Sequence, residues 1–175
     1  MFIRTLPKGE ITLTIAPQVF ILRGLSGSGK STLARQLKGS LHGRTVIISA
    51  DDYFQQSGEY CFDPEKLAVA HRQCYERFVE LVDSHQYSVI VDNTNSKLWH
   101  YAKFYYLARA GNLPVTTLEI PCLDMATVYF YHSRSRHQVP LYVMRRMYFS
   151  WEHDSRATLV LNPFSYIKKM KQMTA

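Results

Sequence analysis

Apolar residues along this chain fall into two textures that alternate from end to end. Short continuous runs, rich in β-branched residues, occur at Gln18–Arg23, Thr45–Ser49, Ser88–Val91 and Val115–Ile120. Runs of that length read as strands buried on both faces. Between them lie longer stretches with helical spacing: Ser31–Leu37, Pro64 to about Ser84, about Lys97–Ala110, Asp124 to about Ser133, and Pro140 to about Trp151. The second of these puts Leu67, Ala70, Cys74, Phe78 and Leu81 on one face. It starts with Asp63 as N-cap and Pro64 in the first turn, where a missing N–H costs nothing. The fourth stretch follows the strand ending at Ile120, and Gly111-Asn112 stops the third. Upstream, Ile11–Ile15 alternates with period two and is closed by Ala16-Pro17. Near the other end, Thr158–Pro163 has the form of a last strand turning at Asn162-Pro163, and Ile167–Lys171 forms a basic end.

Strand and helix signals that alternate in this way predict an α/β domain with a central, mainly parallel sheet and crossover helices on both faces. No linker, repeat or low-complexity tract divides residues 1–175, so a single domain is expected. Residues 1–17 would add an extra N-terminal strand, 134–140 a lid, and 152–175 a basic C-terminal segment. Asp51 to Asp63 reads as a polar loop.

Ligands of such sheets sit beyond the carboxyl ends of the strands. Four places qualify: residues 24–32, Asp51-Asp52, Asp92-Asn93-Thr94-Asn95, and the region after Ile120. The first reads Gly-Leu-Ser-Gly-Ser-Gly-Lys-Ser-Thr and fills every position of the phosphate-binding loop G-x-x-x-x-G-K-[ST]. Gly24 and Gly29 let consecutive backbone N–H groups turn toward phosphates. Ser26, Gly27, Ser28 and Thr32 supply the rest of the cradle. Lys30 reaches the β- and γ-phosphates, and the Ser31 hydroxyl sits on Mg²⁺. The strand before and the helix after complete an anion site at a helix N-terminus. ATP and Mg²⁺ are therefore the expected ligands.

The remaining places supply chemistry around a triphosphate. Phosphoryl transfer to a hydroxyl needs a carboxylate to orient the acceptor and take its proton, or one to hold Mg²⁺ and its waters. Asp51 and Asp52 directly follow a strand and fit that need; a helix cap or loop ion pair is the alternative. Asp92 ends an apolar run, the general form of a second metal-site motif, and is assigned to Mg²⁺ with Ser31. Arg134 and Arg136 lie between two helical segments, in a stretch suited to a lid whose arginine stabilises charge on a transferring phosphoryl group.

Charge narrows the partners. The net charge is +7, and residues 134–175 carry eight Lys/Arg against two Asp/Glu. A basic quarter of that kind neutralises phosphates, on ATP or on a nucleic acid. Three widely spaced cysteines suggest neither a disulfide framework nor zinc. His71, His132 and His153 have no metal spacing. With no 18-residue apolar run and no signal-peptide pattern in Met1–Lys8, no membrane role is expected, and a cytoplasmic or nuclear setting is the default. Most of the abundant aromatics have helical spacing and read as core.

The motifs GLSGSGKSTLA, SADDYF, IVDNTN and RSRHQVPLYVMRRMY, in this order and spacing, resemble the kinase domain of the polynucleotide 5′-hydroxyl kinase-like family. The small stand-alone P-loop kinases and the N-terminal domains of cyclic-nucleotide phosphodiesterases share the likeness, which covers about residues 18–150. It implies a P-loop NTPase of kinase type, a three-layer sandwich with an arginine-bearing lid. It implies a general-base role for Asp51 toward the 5′-OH of RNA or DNA, with Asp52 beside it in the acceptor site. It implies contact of Arg134 with the donor's phosphates, and places Thr94 and Asn95 near the acceptor. Where the phage member of the family has an arginine three residues after its catalytic Asp, this chain has Phe54, which would stack on a base or else mark a different acceptor. Two other readings stay open: a small-molecule kinase of the zeta-toxin or antibiotic-phosphotransferase type, and an ATP-binding switch or adaptor without turnover. No Asn-Lys-x-Asp motif is present to read guanine.

Overall fold

A computed structural model describes residues 2–5, 11–14, 16–56 and 59–162. The chain opens with β1 (Phe2–Thr5) and β2 (Ile11–Thr14), which pair antiparallel as a small sheet of their own. The single extra strand expected over residues 1–17 is thus a hairpin, separate from the main sheet. Then follow β3 (Val19–Arg23), α1 (Lys30–Ser40), β4 (Thr45–Ile48) and a 3₁₀ turn over Ala50–Phe54. The expected polar loop of 51–63 is built instead from that turn and a two-residue hairpin, β5 (Gln55–Gln56) with β6 (Glu59–Tyr60). A short 3₁₀ turn at Pro64–Lys66, capped by Asp63, leads into α2 (Leu67–Asp83). The rest of the order is β7 (Ser88–Asp92), α3 (Leu98–Ala110), β8 (Val115–Glu119), α4 (Met125–Ser133), α5 (Leu141–Phe149) and β9 (Thr158–Leu159). The basic stretch Ile167–Lys171 lies outside the described residues.

The main sheet has five strands in the order β4-β7-β3-β8-β9, every pair parallel. Its central strands β3 and β7 are buried at every position, which is why their sequences are continuous apolar runs rather than alternating ones. Alternate residues of β3 go to opposite faces. Val19 and Ile21 join Phe78, Leu81, Tyr101 and Phe104 of α2 and α3. Phe20 and Leu22 join Leu33, Leu37, Val128 and Met144 of α1, α4 and α5. The result is a three-layer α/β/α sandwich with two cores and one sheet between them.

Register decides what meets at the top of the sheet. Leu22 of β3 stands beside Asp92 of β7, and Arg23 beside Glu119 of β8. Both pairs lie at the entrance to the loop that starts at Gly24.

Candidate active site

The loop between β3 and α1 turns through left-handed conformations at Gly27 (φ 75) and Gly29 (φ 101). Gly29 also serves as N-cap of α1, so the helix N-terminus opens directly into the loop. Lys30 is 8% exposed. Its Nζ donates to the Leu25 carbonyl at 3.0 Å, folding the side chain back across the loop. Burial pushes the Lys30 ammonium below its ordinary range, while the carboxylates of Asp92 and Asp51 act to raise it. One cation therefore faces both acids from the middle of the site.

Asp92 is buried beside Leu22, and its Oδ1 has no hydrogen-bond partner among the described residues; the same is true of the buried Ser28 Oγ. Buried polar atoms are normally satisfied, so two orphaned oxygens flanking the glycine loop fit a site made for a charged ligand. An acceptor-only carboxylate next to a lysine and a helix N-terminus suits a metal–triphosphate complex. Ser31, one residue past Lys30, begins the exposed face of α1.

Asp51 and Asp52 part ways in the 3₁₀ turn after β4. Ser49 is the N-cap: its hydroxyl accepts from the Asp51 N–H, while Asp52 reaches back to accept from the Ser49 N–H at 2.9 Å. Asp52 thus serves as the reciprocal partner of a capping box, at the third position of the turn rather than as its N-cap. That leaves Asp51 as the outward carboxylate, its side chain 51% exposed. The turn is pinned by Asn93, whose Oδ1 accepts from the Ala50 N–H at 2.9 Å and lies 3.4 Å from Ser49 Oγ. The sequence places Asn93 in a candidate ligand stretch but gives it no role of its own; the structure gives it this one.

Two expectations fail here. Phe54 is 2% exposed, packed edge-on to Tyr53 and Tyr60 and tilted against Phe62. Its ring belongs to the core under the turn and has no face free for a nucleobase. Asn95 is 4% exposed with φ 49. Its Nδ2 donates to the Leu22 carbonyl at 2.8 Å and its own carbonyl accepts from Arg23 Nε at 3.0 Å. Asn95 locks the loop after β7 to the end of β3 rather than facing an acceptor. Thr94 is half-buried and its carbonyl accepts from the Gly24 N–H at 3.1 Å, so this loop is one wall of the phosphate cradle.

Residues 134–140 do form an irregular segment between α4 and α5. It is anchored on the glycine loop: Ser26 Oγ and Ser135 Oγ are 2.7 Å apart, and Gly27 lies against the Tyr131 carbonyl. Arg134 caps α4, with its guanidinium over the Phe130 ring at 5.2 Å; Arg136 is exposed. On the opposite side His137 reaches toward the 3₁₀ turn, where its Nε2 is 3.7 Å from Asp51 Oδ2. The segment thus spans from the glycine loop to the Asp51 carboxylate.

Beneath the site lies a buried polar assembly that the sequence did not reveal. Arg23, fully buried, pairs with Glu119, donates to the Glu152 carbonyl, and packs between the rings of Tyr101 and Trp151 at 5.2 and 5.0 Å. Trp151 Nε1 donates to the other Glu119 oxygen at 3.2 Å. Tyr101 donates to Asp154, which also holds Arg156 by two bonds of 2.9 and 3.1 Å.

Among the described residues no helix is long and apolar enough to cross a membrane. Comparison with known proteins places this chain among relatives. NEDD4-binding protein 2 of Homo sapiens is 40% identical over 89 residues, which cover 51% of this chain and 5% of that protein. The 2′,3′-cyclic-nucleotide 3′-phosphodiesterase of Rattus norvegicus is 32% identical over 102 residues, covering 46% of this chain and 24% of its own length. The chain thus spans a quarter or less of these two relatives. Among solved structures, the Mycobacterium tuberculosis APS kinase CysC in complex with AMPPNP and APS superposes with a TM-score of 0.61 at 14% identity, covering 92% of this chain and 99% of that one. That likeness, with the parallel five-stranded sheet and glycine loop, makes the fold that of the P-loop kinases. A profile described as an AAA domain matches residues 19–148, from the first residue of β3 almost to the end of α5, and the chain belongs to the AAA domain family.

Proposed function

We propose that this protein is an ATP- and Mg²⁺-dependent phosphotransferase that moves a γ-phosphate to a hydroxyl, foremost the 5′-OH of a polynucleotide. The observation that carries the reading is the convergence of Lys30, Asp92 and Asp51: a buried cation faces one buried carboxylate with a free oxygen and one exposed carboxylate. The backbone amides around Gly27–Lys30 would hold the β- and γ-phosphates. Ser31 and Asp92 would hold Mg²⁺, which when bound neutralises charge on the phosphate oxygens. Asp51 takes the proton of the acceptor hydroxyl as its oxygen bonds to the γ-phosphorus, and the bond from that phosphorus to the β-phosphate oxygen breaks to release ADP. Arg134 and Arg136, on the lid segment anchored to the glycine loop, would stabilise charge on the transferring phosphoryl group.

The basic excess of residues 134–175 supports a polyanionic acceptor, and the likeness to a protein named for cyclic nucleotides supports an acceptor of nucleotide chemistry. Phe54 supports a second reading, a small-molecule acceptor, because its burial removes the one aromatic next to Asp51 that was assigned to base stacking.

Labelled ATP offered with 5′-OH RNA, 5′-OH DNA, nucleosides and sugars decides the matter. Transfer to 5′-OH oligonucleotides, absent from 5′-phosphorylated ones, is expected. Asp51→Asn should lower that transfer by about 10²–10⁴-fold with ATP affinity retained. Transfer to nucleosides or sugars alone would establish the second reading, and ATP binding without transfer to any acceptor would make the chain a nucleotide-dependent adaptor.

A further inference from the structure

An exposed carboxylate on a short turn has freely rotating side-chain torsions, and a general base that wanders loses most of its effect. Asp51 does not stand alone. Its Oδ1 accepts from the Tyr60 hydroxyl at 3.3 Å, and His137 Nε2 lies 3.7 Å from its Oδ2. The Tyr60 and His137 rings pack against each other, with centroids 4.1 Å apart and planes inclined by 38°. Three segments thus meet at one carboxylate: the 3₁₀ turn, the β5–β6 hairpin that directly follows it, and the lid from far along the chain. Burial raises the Tyr60 hydroxyl well above its ordinary range, and the neighbouring Asp51 raises it further, so Tyr60 remains a donor at any working pH.

We propose that Tyr60 and His137 are positioning residues for Asp51, and that the base is fully oriented only while the lid lies across the site. The proposal rests on Asp51 acting as the base. The lid suits this role because its other end is fixed to the glycine loop through Ser26 and Ser135. Whatever draws the lid onto the loop also brings His137 onto Tyr60. Gln138 follows in a left-handed conformation (φ 48), which turns the chain away toward α5 immediately after the contact. A carboxylate oxygen has two lone pairs, so both contacts leave acceptor capacity for the substrate's proton.

The test compares kcat and acceptor KM on a 5′-OH oligonucleotide for Tyr60→Phe, His137→Ala and His137→Gln, each alone and in the Asp51→Asn background. Tyr60→Phe and His137→Ala should each lower kcat by about 5- to 50-fold, with KM changed less than twofold. His137→Gln, which keeps an N–H donor, should recover most of the loss. In the Asp51→Asn background neither substitution should lower the residual rate further, since no base is left to orient. An acceptor-independent readout accompanies the kinetics: in the presence of ADP and Mg²⁺, Tyr60→Ala should speed tryptic cleavage after Arg134 and Arg136 at least threefold. Wild-type kcat in both variants, equal losses with and without Asp51, a rise in kcat on removing His137, or unchanged lid proteolysis would each overturn the proposal. Full turnover by Asp51→Asn alone would instead remove the base assignment itself.

Discussion

Gly27 and Tyr131 approach so closely that a Cβ on the glycine would lie 1.9 Å from the tyrosine's carbonyl oxygen. The phosphate-loop pattern requires glycine at positions 24 and 29 and leaves position 27 open. Here position 27 is just as constrained, because the end of α4 is seated on it. Gly27→Ala meets both a left-handed backbone, costing about 1–2 kcal/mol, and a backbone clash that no side-chain rotation relieves. Differential scanning calorimetry should show a lower Tm for Gly27→Ala, and titration should show weakened ATP binding. Ser26→Ala removes only the contact with Ser135 and should cost about 0.5–1.5 kcal/mol at most.

Asn93 ties the end of β7 to the first residue of the 3₁₀ turn through Ala50. Its removal strands a buried N–H, a loss of about 1–3 kcal/mol. Asn93→Leu should therefore lower the urea midpoint, and it should lower kcat more than it raises the Kd for ATP, since it loosens Asp51 and leaves the glycine loop intact. Equal effects on both constants would mean the turn is not the part that moved.

Arg23 and Glu119 form a buried ion pair beneath the loop. Taking away one partner leaves a charge without its counterpart, at about 3–5 kcal/mol, whereas removing both replaces the pair with apolar contacts. Arg23→Met should unfold at markedly lower denaturant than the wild type. The double variant Arg23→Met/Glu119→Leu should recover part of that difference in the same unfolding experiment.

Burial raises the Asp154 carboxyl, but the Arg156 guanidinium and the Tyr101 hydroxyl outweigh it and hold the group well below the usual carboxylate range. A group whose folded value is depressed stabilises the protein above its unfolded value, about 3.9, and that contribution is lost as pH falls toward the folded one. The Tm gap between wild type and Asp154→Asn should accordingly stay constant from pH 8 to pH 5. It should narrow below about pH 4.

Much of this arrangement was legible in the sequence. Period and capping residues located the five helices and the five main-sheet strands, the last of them shorter than its signal, because each such signal is local: Asp63 and Pro64 start a helix wherever they lie. The glycine loop, Asp51 and Asp92 were equally readable, since strand ends in a parallel sheet converge. Phe54 was not. In a stretch with Asp51, Asp52 and Gln55 it reads as a loop residue, and the arrival of Phe62 and Ala70 from later in the chain completes its apolar surroundings. Asn95 failed for a related reason: its partners Leu22 and Arg23 are 73 and 72 residues away. Arg23 itself looked like the polar end of a strand, because the aromatic walls around it come from α3 and from the segment after α5.

Trp151 and Glu152, which close over Arg23, come after the stretch that the AAA domain profile recognises, as do Asp154 and β9. The segment by which relatives are recognised and the segment that folds are therefore different lengths. In a larger protein assembled from modules, a seam cut just past α5 would keep every catalytic candidate and still strip Arg23 of the Trp151 ring and the Glu152 carbonyl, leaving one side of a buried guanidinium open. A graft of this domain should therefore extend at least through Val160, whose N–H donates to the Glu119 carbonyl.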